Sequence, residues 1–176
     1  SLVLNHQNKE ETMSIKIIVA SHKKYRMPND KIYLPLHVGA EGKDDFGFEK
    51  DNSGENISSK NPFFCELTGL YWAWKNLNDD YIGLAHYRRH FTKKTFIPKS
   101  ENKKFEIILN EEELKKELEK NDIILAKKRN YYIESIYSHY KHTMHIETLD
   151  KTGEIIKEKY PEYYKEFENL KHTTKM

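Results

Sequence analysis

Residues 86–90, HYRRH, set two arginines and two histidines directly after the apolar run YIGLA (81–85). Charged side chains are seldom buried without partners, so a strand ending this way reaches a polar rim, either plain solvent or a site that handles an anion. Two similar endings occur: SHKK (21–24) follows IKIIVA (15–20), and AKKRN (126–130) overlaps the end of DIILAKK (122–128). Ligands of open α/β sheets bind beyond the carboxyl ends of the strands. Guanidinium forks match phosphate oxygens, which gives Arg88 and Arg89 the chemistry to neutralise a diphosphate without a metal. Solvated strand ends carry the same residue types, and the pattern alone leaves both readings open. If the strand persists, alternation puts His86, Arg88 and His90 on one face and Tyr87 and Arg89 on the other.

Other chemistries find less support. His139, His142 and His145 follow at i, i+3 and i+6; on one helix the outer two lie about 240° apart and cannot converge on a metal. Pairs of them retain the capacity to chelate or relay protons. The chain lacks a Gly-rich phosphate loop, paired-cysteine zinc spacing and a G-x-S-x-G turn. Asp79–Asp80 precedes a strand and is badly placed to hold a metal at the carboxyl edge. The single cysteine, Cys65, forms no intrachain disulfide; its helical, apolar context predicts a buried thiol in a reducing compartment.

These residues need elements to position them. IKIIVA predicts a buried first strand, and IYLPLHVG (32–39) a second, demoted by Pro35 to an edge or irregular segment. The long polar segment 39–61 is too extended for an idle connection and reads as a functional loop. Asn61–Pro62 predicts a helix start with Asn61 as the cap. From there Phe63, Phe64, Leu67, Leu70, Tyr71, Trp74 and Leu77 recur at helical spacing as a core-facing aromatic stripe. Glu66 lies at the margin of that stripe, where a carboxylate wants a cationic partner. Asn110 with Glu113 resembles a capping box before Leu114 and Leu118, and 122–128 reads as another buried strand. Helix-strand repeats after an initial strand indicate an α/β sandwich with a mainly parallel sheet, and beyond 131 the chain turns helical, with Pro161 punctuating the last two helices.

The 176 residues suit one domain, and 12% aromatic content argues for a folded core despite 33% charged residues. A net charge of only +2 supplies no chain-wide field for nucleic acid or anionic lipid, so any anion site is local. A nucleic-acid-binding module, suggested by aromatic-basic interleaving around 86–91 and 126–132, is disfavoured on that ground. No apolar run spans a bilayer and no secretory segment opens the chain, which predicts a cytoplasmic protein, compatible with peripheral association at the inner face of the membrane. Residues 1–14 read as an N-terminal tail or expression remnant, and 15–176 as a single domain.

The strings KIIVASHKKYRMP, DNSGENISSKNPFFCELTGLYWAWKN, DDYIGLAHYRRHF and YYIESIYSHYKHT resemble a family of bacterial capsule and exopolysaccharide glycosyltransferases, long catalogued as a domain of unknown function. The resemblance implies a GT-A-like fold and transfer of a sugar, galactofuranose in characterised relatives, from a UDP-sugar to a growing glycan or lipid-linked glycan acceptor. It also implies that HYRR stands where other GT-A enzymes carry an Asp-x-Asp metal motif, so that no divalent metal or further cofactor is expected. Arg88 and Arg89 would then stabilise the departing diphosphate, with His86 orienting it or donating a proton. Ala20, Ser21, His22 and Lys23 would flank the nucleotide and Tyr25 would stack on its base. Asp51, Asn52, Asn56 and Ser58 would bond ribose or sugar hydroxyls, and Glu66 would hold Arg88 or His86 in place. Relatives in this family continue past the point where this chain stops, so the expected domain is incomplete. The alternative is a non-catalytic nucleotide-sugar-binding domain or an inactive fragment.

Overall fold

The computed structural model describes residues 13–94, 96 and 98–175. Most of the tail expected at 1–14 lies outside the described residues. The described residues form two compact units, one up to Ile124 and one from Leu125 onward.

The first unit is built on a four-stranded, all-parallel sheet. Its strands are β1 (Ile15–Ser21), β2 (Tyr33–His37), β3 (Glu49–Lys50) and β4 (Tyr81–His86), in the order β3-β2-β1-β4. The β-branched run of β1 occupies the centre, buried on both faces as parallel strands require. Pro35 sits within β2, which is not an edge strand. It is tolerated because β3 pairs only with Leu36 and His37, which leaves the side that Pro35 would bond free of a ladder partner.

On one face of the sheet Ile18, Ala20, Leu36 and Val38 pack against Trp72 and Ala73 of helix α2 (Leu67–Asn76). A Cβ at Gly69 would lie 2.8 Å from Val38 Cγ1 and 3.0 Å from Leu36 Cδ2, so this glycine is what lets the helix approach the sheet. The uniform aromatic stripe expected over 61–77 does not form. The helix breaks after α1 (Asn61–Phe64) at Cys65, whose φ of 48° takes the next turn out of register. Asn61 does not cap by its side chain; its amide donates to the Cys65 carbonyl and to Thr68 Oγ1, stapling the break. The buried face is therefore Thr68, Gly69, Trp72 and Ala73, while Phe63, Leu67 and Trp74 are exposed, and the Cys65 thiol is exposed instead of buried.

The opposite face of the sheet carries Ile15, Ile17, Val19, Tyr33, Ala85 and Tyr87 against Leu109, Leu114 and Leu118. Helix α3 (Glu101–Glu106) precedes helix α4 (Glu111–Leu118), where Asn110 and Glu113 form a complete capping box, both bonds 3.0 Å long. Segment 122–128 is not a strand: Ile123 and Leu125 are exposed, and only Ile124 joins the core. An apolar run without a pairing partner joins no ladder, a distinction that periodicity cannot make.

The second unit is helical: α5 (Ile136–Thr143), α6 (Ile146–Lys159) and α7 (Pro161–His172). Pro161 opens α7, and Gly153 of α6 leaves room for the Phe167 ring of α7. His145 lies between α5 and α6, so the three histidines do not share one helix.

Candidate functional site

Because Ala20 of β1 stands beside His86 of β4, the carboxyl ends of two adjacent strands deliver SHKK and HYRR to one place. The strand does not persist through 90 as the alternation reading requires. It closes in a tight turn, with the Arg89 N–H donating to the His86 carbonyl at 2.8 Å and the His86 N–H to the Arg89 carbonyl at 3.2 Å. Tyr87 and Arg88 occupy the turn's centre. Tyr87, 2% exposed, is tied down by its N–H to the Ala20 carbonyl at 3.1 Å.

The Tyr87 ring is what the cationic groups gather round. His22 and Tyr25 meet it edge-on at 5.4 and 5.1 Å between ring centroids, and His86 lies at 4.2 Å. Lys23 Nζ and Arg88 Cζ stand 5.5 and 5.1 Å from its centroid, within reach of its negative face. A buried aromatic thus orders an ammonium and a guanidinium without neutralising either. Arg88 and Arg89 are exposed, and neither pairs with a carboxylate among the described residues. The arrangement is an open cationic surface at the sheet margin, and the clefts of about 520 and 170 Å³ elsewhere in this unit are lined by neither arginine.

His86 links this surface to α2. Its Nδ1 accepts the Arg88 N–H at 3.2 Å, which leaves the proton of the neutral ring on Nε2, 3.7 Å from Glu66 Oε1. Burial lowers the His86 pKa, the upward pull of Glu66 opposes it, and the Arg88, Arg89 and His22 charges lower it further. A neutral His86 with an N–H at Nε2 is a hydrogen-bond donor at neutral pH.

Several residues expected at the ligand are engaged within the scaffold. Ala20 is buried and its carbonyl is occupied; the buried Ser21 hydroxyl donates to the Lys23 carbonyl at 2.6 Å, shaping the loop. The Tyr25 ring meets Tyr87 edge-on and its hydroxyl donates to Glu101 at 3.1 Å, a bond that raises its pKa. Asp51 is wholly buried and accepts from the Gly39 and Ala40 N–H groups, Ser58 Oγ and Thr68 Oγ1. Its carboxylate holds segment 39–61 together and has no capacity left for a sugar hydroxyl. Ser58 is likewise buried, Asn56 bonds Gly54 and Ser58 within its own turn, and Asn52 reaches Glu41. His22, Lys23, Arg88 and Arg89 remain exposed, and Glu66 and His86 are partly so.

Residues 126–130 belong to the second unit and follow no strand, so they do not form a third strand-end cluster. His139 and His142 turn toward Glu134 at 3.9 and 3.1 Å, and among the described residues no three acidic, histidine or cysteine side chains form a metal-binding group. Two features escaped the sequence reading. One is Tyr87, whose position between His86 and Arg88 was a usable signal. The other is His37, a buried histidine at the end of β2 with both ring nitrogens unpartnered and its ring 4.0 Å from that of Phe46.

A family model described as "Domain of unknown function (DUF4422)" matches residues 16–176. The chain belongs to the DUF4422 family. The DUF4422 chain also matches a solved structure described as the apo form of the bifunctional glycosyltransferase WbbM, at 34% identity and a TM-score of 0.80. That match covers 93% of this chain and 32% of the WbbM chain, so the DUF4422 chain spans about a third of its solved relative. No curated protein matches it. Within the described residues no helix is long and apolar enough to cross a membrane.

Proposed function

We propose that the DUF4422 chain is a glycosyltransferase domain that moves a sugar from a nucleotide-diphosphate donor to a growing capsular or exopolysaccharide glycan. The observation that carries this reading is the convergence of SHKK and HYRR on the Tyr87 ring at the carboxyl edge of β1 and β4. Likeness to a bifunctional glycosyltransferase supports the reaction class. In glycosyl transfer an acceptor hydroxyl oxygen bonds to the anomeric carbon and gives up its proton to a base, the bond from that carbon to the diphosphate oxygen breaks, and negative charge grows on the departing diphosphate. Lys23, Arg88 and Arg89 are unneutralised cations placed to stabilise that charge, the task a divalent ion performs where carboxylates hold one. His86, neutral and oriented by the Arg88 N–H, donates from Nε2. We place no metal in this reaction, and the donor we favour is a UDP-sugar, with UDP-galactofuranose the first to assay.

Calorimetric titration with UDP and UMP tests the reading. UDP should bind more tightly than UMP, EDTA should leave the affinity unchanged, and the double variant Arg88→Ala/Arg89→Ala should lose at least about tenfold in UDP affinity, given the strength of charge-assisted phosphate contacts. Full UDP affinity in that folded double variant would reject the role given to the turn. UDP binding without turnover of any nucleotide sugar would support a binding domain instead.

A further inference from the structure

The connection between β1 and β2 serves two places. Tyr25 packs on Tyr87 in the cationic cluster, and its neighbour Arg26 lines a cleft of about 520 Å³. That volume falls within the roughly 300–1,000 Å³ of small-molecule sites. The cleft's floor is Tyr33 and Leu109, both buried, with Tyr33 fixed by its hydroxyl to the Leu109 carbonyl at 2.6 Å. Its rim is polar: Arg26, Asn29, Asp30, Asn102 and Glu106.

The rim chemistry discriminates between ligand classes. One guanidinium stands against two carboxylates, which disfavours a phosphate. A nucleobase needs a free aromatic face, but the Arg26 guanidinium sits 4.2 Å over the Phe105 ring, which His90 also meets at 5.7 Å, and Tyr33 is only 5% exposed. What remains is a set of donors and acceptors in close company. Arg26 uses one nitrogen on Asn102 Oδ1, leaving the Asn102 amide hydrogens and the other guanidinium hydrogens free. Asn29 and Glu106 make no side-chain hydrogen bond among the described residues, whereas Asp30 is occupied by the Ile32 and Glu111 N–H groups. Neutral groups that both donate and accept are what such a rim matches, and a polyol has them at every carbon.

We infer that this cleft, whose Arg26 is next in sequence to the Tyr25 that packs on Tyr87, binds a hexopyranose ring of the acceptor glycan. The inference rests on the proposed glycosyltransferase reading and adds the acceptor subsite to it. Saturation-transfer NMR on the 176-residue chain tests it, with the methyl glycosides of glucose, galactose and mannose, inorganic phosphate and UMP as probes. At least one methyl glycoside should bind, and Asn29→Ala/Glu106→Ala should weaken that binding about tenfold through two lost hydrogen bonds. Both substituted side chains are exposed and the UDP affinity of the variant should be unchanged. Binding of no glycoside, or equal binding by wild type and variant, overturns the subsite, as does displacement of the glycoside by phosphate or UMP. Loss of UDP binding in Arg88→Ala/Arg89→Ala leaves this result untouched, so the two readings fail separately.

Discussion

Asp51 offers a direct way to separate a ligand-binding loop from a structural one. Its buried carboxylate takes four donors: the Gly39 N–H at 2.8 Å, the Ala40 N–H at 3.0 Å, Ser58 Oγ, and Thr68 Oγ1 at 2.7 Å. In Asp51→Ala the Thr68 hydroxyl can turn to the Cys65 carbonyl, 3.1 Å away, but the two amides and the Ser58 hydroxyl lose their acceptor. Bonds to a charged group contribute about 1.5–3 kcal/mol each, and partial relaxation recovers some of it, so the loss should be about 4 kcal/mol. Asp51→Asn is milder. Its carbonyl serves Ala40 and Ser58, its amide donates to a rotated Thr68, and only Gly39 is orphaned, for about 2 kcal/mol. Urea denaturation followed by tryptophan fluorescence measures both, and faster hydrogen exchange at the Gly39 and Ala40 amides locates the damage. Were Asp51 a ribose ligand, Asp51→Ala would lower UDP affinity while stability stayed within about 0.5 kcal/mol of wild type, as for a surface substitution. That result would refute the reasoning.

Two further outcomes follow from the packing and the buried histidines. Gly69→Ala should destabilise by about 1–3 kcal/mol, because its Cβ meets Val38, Leu36 and Ile18 side chains at 2.8–3.3 Å; a neutral effect in urea denaturation would show that α2 has room to lift. Burial lowers the pKa values of His37, His86 and His90, with Lys43 adding to it at His37 while Asp51 opposes it. The unfolded chain therefore takes up protons first: stability is complete above pH ~6.5 and falls below it, by at most about 1.4 kcal/mol per pH unit for each histidine. Melting temperature should drop between pH 7.5 and 5.5, and His37→Leu, which removes two unpartnered nitrogens, should shallow that drop without loss of stability at pH 7.5. A melting temperature flat across this range would contradict it.

How much was legible in the sequence depended on whether a feature was local. The strands at 15–21 and 81–86 and the Asn110–Glu113 cap are set by residues next to one another, and periodicity and capping chemistry find them. The outward face of α2 was misread because one residue, Cys65 at φ 48°, rotates the helix after it; helical spacing counted through 61–77 assumes no such break. Segment 122–128 has a strand's composition but no partner beside it, and pairing is a tertiary fact. Polar side chains misled for a related reason. Asp51, Asn56 and Ser58 look like ligand groups in a polar loop, yet a segment of that length needs internal acceptors and donors to hold its backbone, and these residues supply them.

The same contrast sharpens the case for the cationic turn. Some lysines pair with a carboxylate, Lys31 and Lys115 with Glu111, Lys75 with Glu55 and Lys171 with Glu168. Lys23, Arg88 and Arg89 have no such partner among the described residues, although Glu66 stands close enough to be held 3.7 Å from His86. Glu66 is directed to the histidine, while Lys23 and Arg88 lean on the face of Tyr87, which orders them at little cost in charge. Tyr87 belongs to the core of this face of the sheet and at the same time lies under Lys23 and Arg88, so the ring has a packing use whether or not the cations meet a ligand. Tyr87→Leu is the variant that separates these cases: it keeps the turn and the apolar burial but removes the ring face. If UDP affinity falls several-fold in a variant that still unfolds cooperatively in urea, with the roughly 1–3 kcal/mol loss of a large-to-small core substitution, the ring orders the cations for a ligand. If affinity is unchanged, the ring is core and the cations act alone.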